Sequence, residues 1–253
     1  MRSLLTHALL MGLLSLLFGC DSKTSPFTRV DGVWHFNKTP VSGADAATFA
    51  PLDDHYAKDR SRVFHADTYR KGQEYFTIKH DRIVEITGAD PASFKVMAQG
   101  YARDSRRVYF EGVPFAVKDV ASFELLDYGF ARDRISGYYQ QVEVPGSAGG
   151  TFAALDSHYA KDASKVFHAD FDTGGGAHPP RARSVVLEGA VPDSFKLLDG
   201  GYAVGTRHVY YRGVAIAGAD PATFRMLEPP AADADAQDAR ATYQRGQRAG
   251  GTK

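Results

Sequence analysis

The sequence predicts a mainly β protein built as a tandem array of short-strand hairpin repeats, and three observations carry that prediction. HYAKDRSRVFHAD at 55–67 returns as HYAKDASKVFHAD at 158–170, with looser copies between and after. Gly (25), Phe (16) and Tyr (13) are plentiful while Met (4) and Trp (1) are scarce, a balance that favours short strands and tight turns over a helical bundle. Aligned on the aromatic that opens each copy (Tyr56, Tyr101, Phe130, Tyr159, Tyr202), the compact spacing is 29 residues, and insertions at about 66–80 and 170–184 account for the longer ones. A unit of that size cannot bury its own apolar face, so it must stack on its neighbours to make a core.

Each element of the unit follows from local chemistry. In YARDSRRVYFEGVPFAVKDVASFELL (101–126), Tyr-Ala-Arg is a short strand, and Asp104 is placed to accept backbone N–H groups two or three residues on. Val108 to Phe110 is a second strand, Glu111-Gly112 a turn, and Val113 to Val117 a third strand. In Gly88-Ala89-Asp90-Pro91-Ala92-Ser93-Phe94, repeated at 218–224, Asp before Pro predicts an N-capped helical turn in each repeat. Phe94, Phe123, Phe195 and Phe224 then plug the core beneath the strands. A partial unit at 33–49 precedes the others, giving about five and a half repeats over residues 32–228. The array reads as an open meandering sheet or a solenoid, with a propeller-like ring as the alternative. Residues 229–253, rich in Ala, Asp, Gln and Arg, read as a disordered tail, with a short helix over 234–245 as an option. The insertion from Asp172 to Arg183 reads as a loop.

The N-terminus reads as an address. One positive charge, a Leu-rich run from Leu4 to Phe18 and a small residue before Cys20 make residues 1–19 a secretory signal. The run is shorter than the ~20 residues that span a bilayer. Leu17-Phe18-Gly19-Cys20 resembles the lipobox of bacterial lipoproteins, which implies a diacylglyceryl thioether and an amide-linked chain on Cys20. Two or more chains anchor stably where one does not. Residues 20–31 are then a lipidated tether, and Asp21 resembles the signal that retains lipoproteins in the inner membrane. Cys20 is the only cysteine, so no intramolecular disulfide forms and the folded part stands on its core.

The repeat unit resembles the DKNYY repeat family of bacterial envelope proteins. The matching pieces are Tyr56-Ala57-Lys58-Asp59 with Val63-Phe64, Tyr101 to Phe110, Tyr159-Ala160-Lys161-Asp162 with Val166-Phe167, and Val209-Tyr210-Tyr211. Gly205 departs from the pattern by replacing the turn Asp. The resemblance implies a fold and brings no substrate, cofactor or catalytic residue.

For chemistry, the recurring Asp59, Asp104, Asp133 and Asp162 read as turn caps, because the spacing of calcium-binding loops is absent. The pairs His55/His65 and His158/His168 lack metal-site spacing and read as surface or strand-end residues. Gly174-Gly175-Gly176 has no following Gly-Lys-Ser/Thr and is no phosphate cradle. No nucleophile motif stands out, and no cofactor or metal is expected. Thirty basic residues balance thirty acidic ones, which argues against a nucleic-acid partner. The leading expectation is a non-catalytic binding or scaffold module of the envelope. It is held to the membrane by its lipid, faces the periplasm, and takes an envelope protein or glycan on an exposed strip of Arg107, Tyr109, Arg207 and Tyr210. The alternatives are an envelope enzyme acting on cell-wall material, its pocket near 172–183, and a spacer without ligand.

Overall fold

The computed structural model describes residues 25–172, 181–231 and 233–249. They form seven small antiparallel sheets in chain order, the first of three strands and the others of four. Strand-to-strand pairing stays within each sheet, so the array is a series of separate sheets rather than one continuous meander. We call them units 1 to 7.

Unit 3 shows the plan. Lys95–Val96, Tyr101–Arg103, Val108–Phe110 and Val113–Phe115 lie side by side, with Tyr101 opposite Phe110 and Ala102 opposite Tyr109. Alternation along the strands puts Tyr101, Val108 and Phe110 on one face and Ala102 and Tyr109 on the other. The inner turn is fixed by Asp104, whose N–H donates to the Arg107 carbonyl at 3.0 Å. The outer turn places Glu111 and Gly112 at φ 48° and 78°, the left-handed pair of a two-residue hairpin turn.

Sheets stack front to back. Tyr56 and Val63 of unit 2 cluster with Ala102 and Tyr109 of unit 3, and Phe94 from the connecting segment lies between them. Its ring is 5.6 Å from that of Tyr56 and 5.5 Å from that of Tyr109. The same three-ring ladder recurs at all six boundaries, built on Phe49, Phe94, Phe123, Phe152, Phe195 and Phe224. The core is therefore six clusters, each drawn from two successive units, and none of the six joins unit 7 to unit 1. Phe49, Phe94, Phe123 and Phe152 are buried and Phe195 and Phe224 partly so, and full burial of one Phe contributes about 2 to 3 kcal/mol.

The segments carrying these Phe residues are turns, not helical turns. Asp90 caps its turn as expected, accepting Ala92 N–H at 3.1 Å and the Ser93 hydroxyl at 2.6 Å. The chain then leaves after one short turn, because Phe94 must drop into the core and Lys95 must pair as a strand. Only 3₁₀ turns form at the equivalent Val120–Ser122 and Gly149–Thr151.

The array is longer than its sequence signature at both ends. Phe27–Val30 pairs with Val33–Phe36 in unit 1, so strand structure begins inside the stretch read as a tether. Residues read as a disordered tail form unit 7: Arg225–Ala231, Ala234–Gln237, Thr242–Gln244 and Gln247–Arg248. Residues 234–245 are strand and turn, not helix. Unit 7 keeps the rear-facing Ala236 and Tyr243, both buried, and loses the front-facing apolar residues: Asp235, Thr242 and Gln244 stand where unit 3 has Tyr101, Val108 and Phe110. Unit 1 is its mirror. Phe27, Trp34 and Phe36 face forward into the first cluster, while Thr28 and His35 stand where unit 3 has Ala102 and Tyr109. The end face of unit 7 is thus polar, as capping repeats require for solubility, whereas that of unit 1 sets Thr28 and His35 beside exposed Val30 and Val33 without the aromatic of an internal unit.

Candidate functional site: histidine clefts and long hairpins

The recurring aspartates are hubs of the stack. Asp104 Oδ1 accepts Arg106 N–H and Arg107 N–H, each at 2.7 Å; Oδ2 accepts Asp90 N–H at 3.0 Å and the Tyr109 hydroxyl at 2.7 Å. Asp133 and Asp238 repeat the arrangement with Tyr138 and Tyr243. Units 2 and 5 have Phe64 and Phe167 in place of that Tyr, and there Ser61 and Ser164 donate a hydroxyl to Asp59 and Asp162 instead. In unit 6, where Gly205 replaces the Asp, the Tyr210 hydroxyl donates to the Glu188 carbonyl at 2.7 Å. Burial works to raise each carboxyl pKa, but the converging donors outweigh it: all five aspartates are lowered, Asp238 to about 2. They are structural acceptors, as their reading as turn caps requires.

The proposed strip does not form. Tyr109 and Tyr210 are 0% and 1% exposed, because period-2 alternation turns them rearward into the neighbouring unit. Arg107 and Arg207 are exposed on the inner turns.

The opening aromatic bridges to the next unit. The Tyr56 hydroxyl donates to the Gly100 carbonyl and accepts Gly112 N–H, each at 2.9 Å. Tyr159 accepts Gly213 N–H, Tyr202 accepts Gly246 N–H, and Tyr101 accepts from the side chain of Gln141. Phe27 and Phe130 lack the hydroxyl, and the unit after each has no tight outer turn to supply the N–H. In units 2 and 5 the insertions extend a hairpin instead: Val63–Tyr69 pairs with His80–Glu85, and Val166–Asp172 with Arg181–Val186. Of the segment read as a loop, Asp172 and Arg181 to Arg183 are paired strand, and the residues between them, Gly174-Gly175-Gly176 included, lie outside the described residues.

At the roots of these hairpins sit the histidine pairs. His65 and His168, 3% and 6% exposed, are buried rather than at the surface, because they occupy the front-face position that Phe110 and Tyr211 hold elsewhere. His55 stacks on His65 with ring centroids 6.1 Å apart, and His158 on His168 at 5.9 Å. Burial lowers the pKa of His65 and His168, with Asp67 and Asp170 pulling the other way. Glycine in the following turn is needed twice over, for its φ and because a Cβ on Gly112 would lie 2.7 Å from that of His65.

The unit 5/6 copy opens into a cleft of about 430 Å³ lined by Asp156, His158, His168, Asp170 and Arg212. Asp156 is tied to the backbone N–H groups of His158 and Tyr159, and Asp170 is ion-paired with Arg183 at 2.6 Å. Glu111 occupies the place of Arg212 in unit 3, so the two copies differ in charge at the mouth. Among the described residues no group of three or more His, Cys, Asp or Glu side chains is arranged to hold a metal. A larger open recess of about 1000 Å³ lies between units 1 and 2, lined by residues including Asn37, Lys38, His55, Tyr69 and His80. Above it the tip of the first long hairpin exposes Tyr75, Phe76 and Ile78. Sequence reading missed both sites; their signal lay in the differences between copies, Glu111 against Arg212 and 70–79 against 173–180. Cys20, Leu17, Phe18, Gly19 and Asp21 lie outside the described residues.

Compared with known families, the sequence matches the DKNYY family over residues 27–171 and again over 68–246. The chain belongs to the DKNYY family. The DKNYY match reaches residue 246, inside unit 7, in agreement with the folded C-terminal sheet. No curated protein and no solved structure matches the chain.

Proposed function

We propose that this DKNYY protein is a lipid-anchored, non-catalytic module of the bacterial cell envelope, tethered at Cys20, facing the periplasm and retained at the inner membrane by Asp21. One observation carries the binding role. The Asp and Tyr side chains that recur along the chain are committed to building the stack, whereas the exposed chemistry differs from unit to unit. Such a scaffold presents distinct surfaces at fixed intervals, and the two long hairpins with their histidine clefts are the surfaces this one presents. The partner is an envelope protein or glycan.

The test is capture from the native envelope by the acylated chain, with a Cys20→Ala form as control, together with radiolabelled palmitate incorporation at Cys20. Specific capture that declines when the unit 5/6 cleft is altered by Arg212→Glu supports the reading. Absence of label on Cys20, or capture of the same set by an unrelated lipoprotein, refutes it.

A further inference from the structure

We infer that the tip of the unit 2 hairpin, residues 70–79, is a contact site for an anionic phospholipid surface, independent of acylation at Cys20. The tip reads RKGQEYFTIK, and each of its residues is exposed. Phe76 is 87% exposed, Tyr75 55% and Ile78 44%, an apolar cluster with no cover. It is nonetheless built. Gly72–Glu74 forms a 3₁₀ turn, Ile78 N–H returns to the Glu74 carbonyl at 3.0 Å, and Arg70 Nη1 holds the Tyr75 carbonyl at 2.6 Å. The Tyr75 and Phe76 rings sit edge to face at 5.3 Å.

Charge selects the occupant. Arg70, Lys71 and Lys79 surround the aromatics, against the single acid Glu74, whose carboxylate is held by His80 at 3.0 Å. Aromatic rings flanked by Lys and Arg are the chemistry of the membrane interface, where rings lie at headgroup depth and cations meet anionic lipid. The corresponding segment of the unit 5 hairpin, TGGGAHPP at 173–180, has no Phe, Trp, Tyr, Lys or Arg, so the feature is not imposed by the repeat.

Position agrees with chemistry. Asp81, at the base of the tip, accepts hydrogen bonds from Asn37 and Thr39, both at 2.8 Å, which ties the hairpin to unit 1. At ~3.4 Å per residue, the chain between Cys20 and Ser25 spans at most roughly 20 Å, so an anchor at Cys20 would hold this end of the stack close to the bilayer.

The experiment is co-sedimentation of the otherwise full mature chain carrying Cys20→Ala with vesicles of phosphatidylglycerol and phosphatidylethanolamine, and with vesicles of phosphatidylcholine alone. Expected is binding to the anionic vesicles that weakens with salt, and a loss of about tenfold or more in both Tyr75→Ser/Phe76→Ser and Lys71→Gln/Lys79→Gln, with thermal unfolding unchanged since these side chains are exposed. Equal binding to both vesicle types, binding unaffected by either double variant, or no binding overturns the inference. So does self-association in solution that Phe76→Ser abolishes, since the tip would then serve a second copy. None of these outcomes bears on palmitate labelling of Cys20, which tests the anchor separately.

Discussion

The Tyr109 hydroxyl donates a 2.7 Å hydrogen bond to Asp104 inside the unit 2/3 boundary, and the same carboxylate holds three backbone N–H groups. Donor and acceptor are thus unequal partners: Tyr109 makes one of the four bonds and Asp104 takes part in all of them. Tyr109→Phe removes one donor and leaves Asp104 satisfied, at a cost of about 1 kcal/mol. Asp104→Ala strands a buried hydroxyl and three N–H groups, at a cost of roughly 3 to 5 kcal/mol. Urea unfolding of both single variants and the double variant measures the difference, and equal costs for the two singles would contradict the hub.

The bridging hydroxyls predict opposite responses at equivalent positions. Tyr159→Phe leaves Gly213 N–H without its acceptor and destabilises by about 1 kcal/mol, whereas Phe130→Tyr buries a hydroxyl where the next unit offers no tight turn and also destabilises. Amide exchange at Gly213 reports the first change directly. A stabilising Phe130→Tyr would show that the choice of aromatic does not follow the turn.

Glycine substitutions separate backbone strain from close packing. Gly32 and Gly112 share positive φ, 82° and 78°, but a Cβ on Gly32 meets open space and one on Gly112 meets His65. Gly32→Ala should cost about 1 kcal/mol and Gly112→Ala at least about 2 to 3 kcal/mol more, read from thermal unfolding.

Stability should fall in two steps on acidification. His65 and His168 have folded pKa values below the usual ~6.5, so the unfolded chain binds protons first and stability, complete above that value, declines as pH drops through it. The lowered hub aspartates add stability that is complete above ~4 and is lost as pH falls through their folded values, about 2 for Asp238. A His65→Phe/His168→Phe chain should lose the first step and keep the second, as thermal midpoints between pH 8 and pH 2 would show.

The polar end face of unit 7 predicts a gain of association on substitution. Asp235→Tyr with Thr242→Val restores the front face of an internal unit on unit 7, and the product should sediment as a larger species than the parent. An unchanged sedimentation coefficient would show that those positions do not limit the stack.

Much of this was legible in the sequence. The aspartate turns, the plugging Phe94, Phe123, Phe195 and Phe224, and the tandem β architecture follow from chemistry local to one unit. What escaped depends on a neighbour. Tyr109 belongs to a β-strand in either reading, and only the next sheet decides that it points inward. Unit 7 was hidden because closing a stack means replacing its apolar front residues with Asp235, Thr242 and Gln244, which erases the signature by which a unit is recognised. His65 and His168 look like surface residues because the aromatic role they fill is visible only across the boundary.

The match between each opening aromatic and the turn of the following unit limits how the array can be rearranged. A unit with a tight outer turn is interchangeable with others of its kind, since the Tyr before it finds an N–H whichever copy follows. A long-hairpin unit is not a portable cassette. Excising unit 5 would set Phe130 against the tight turn of unit 6, and transplanting it behind Tyr101 would strand a hydroxyl. Its address is written in the neighbour upstream, so any recombination that gains or loses a long hairpin needs a second, compensating change one unit earlier.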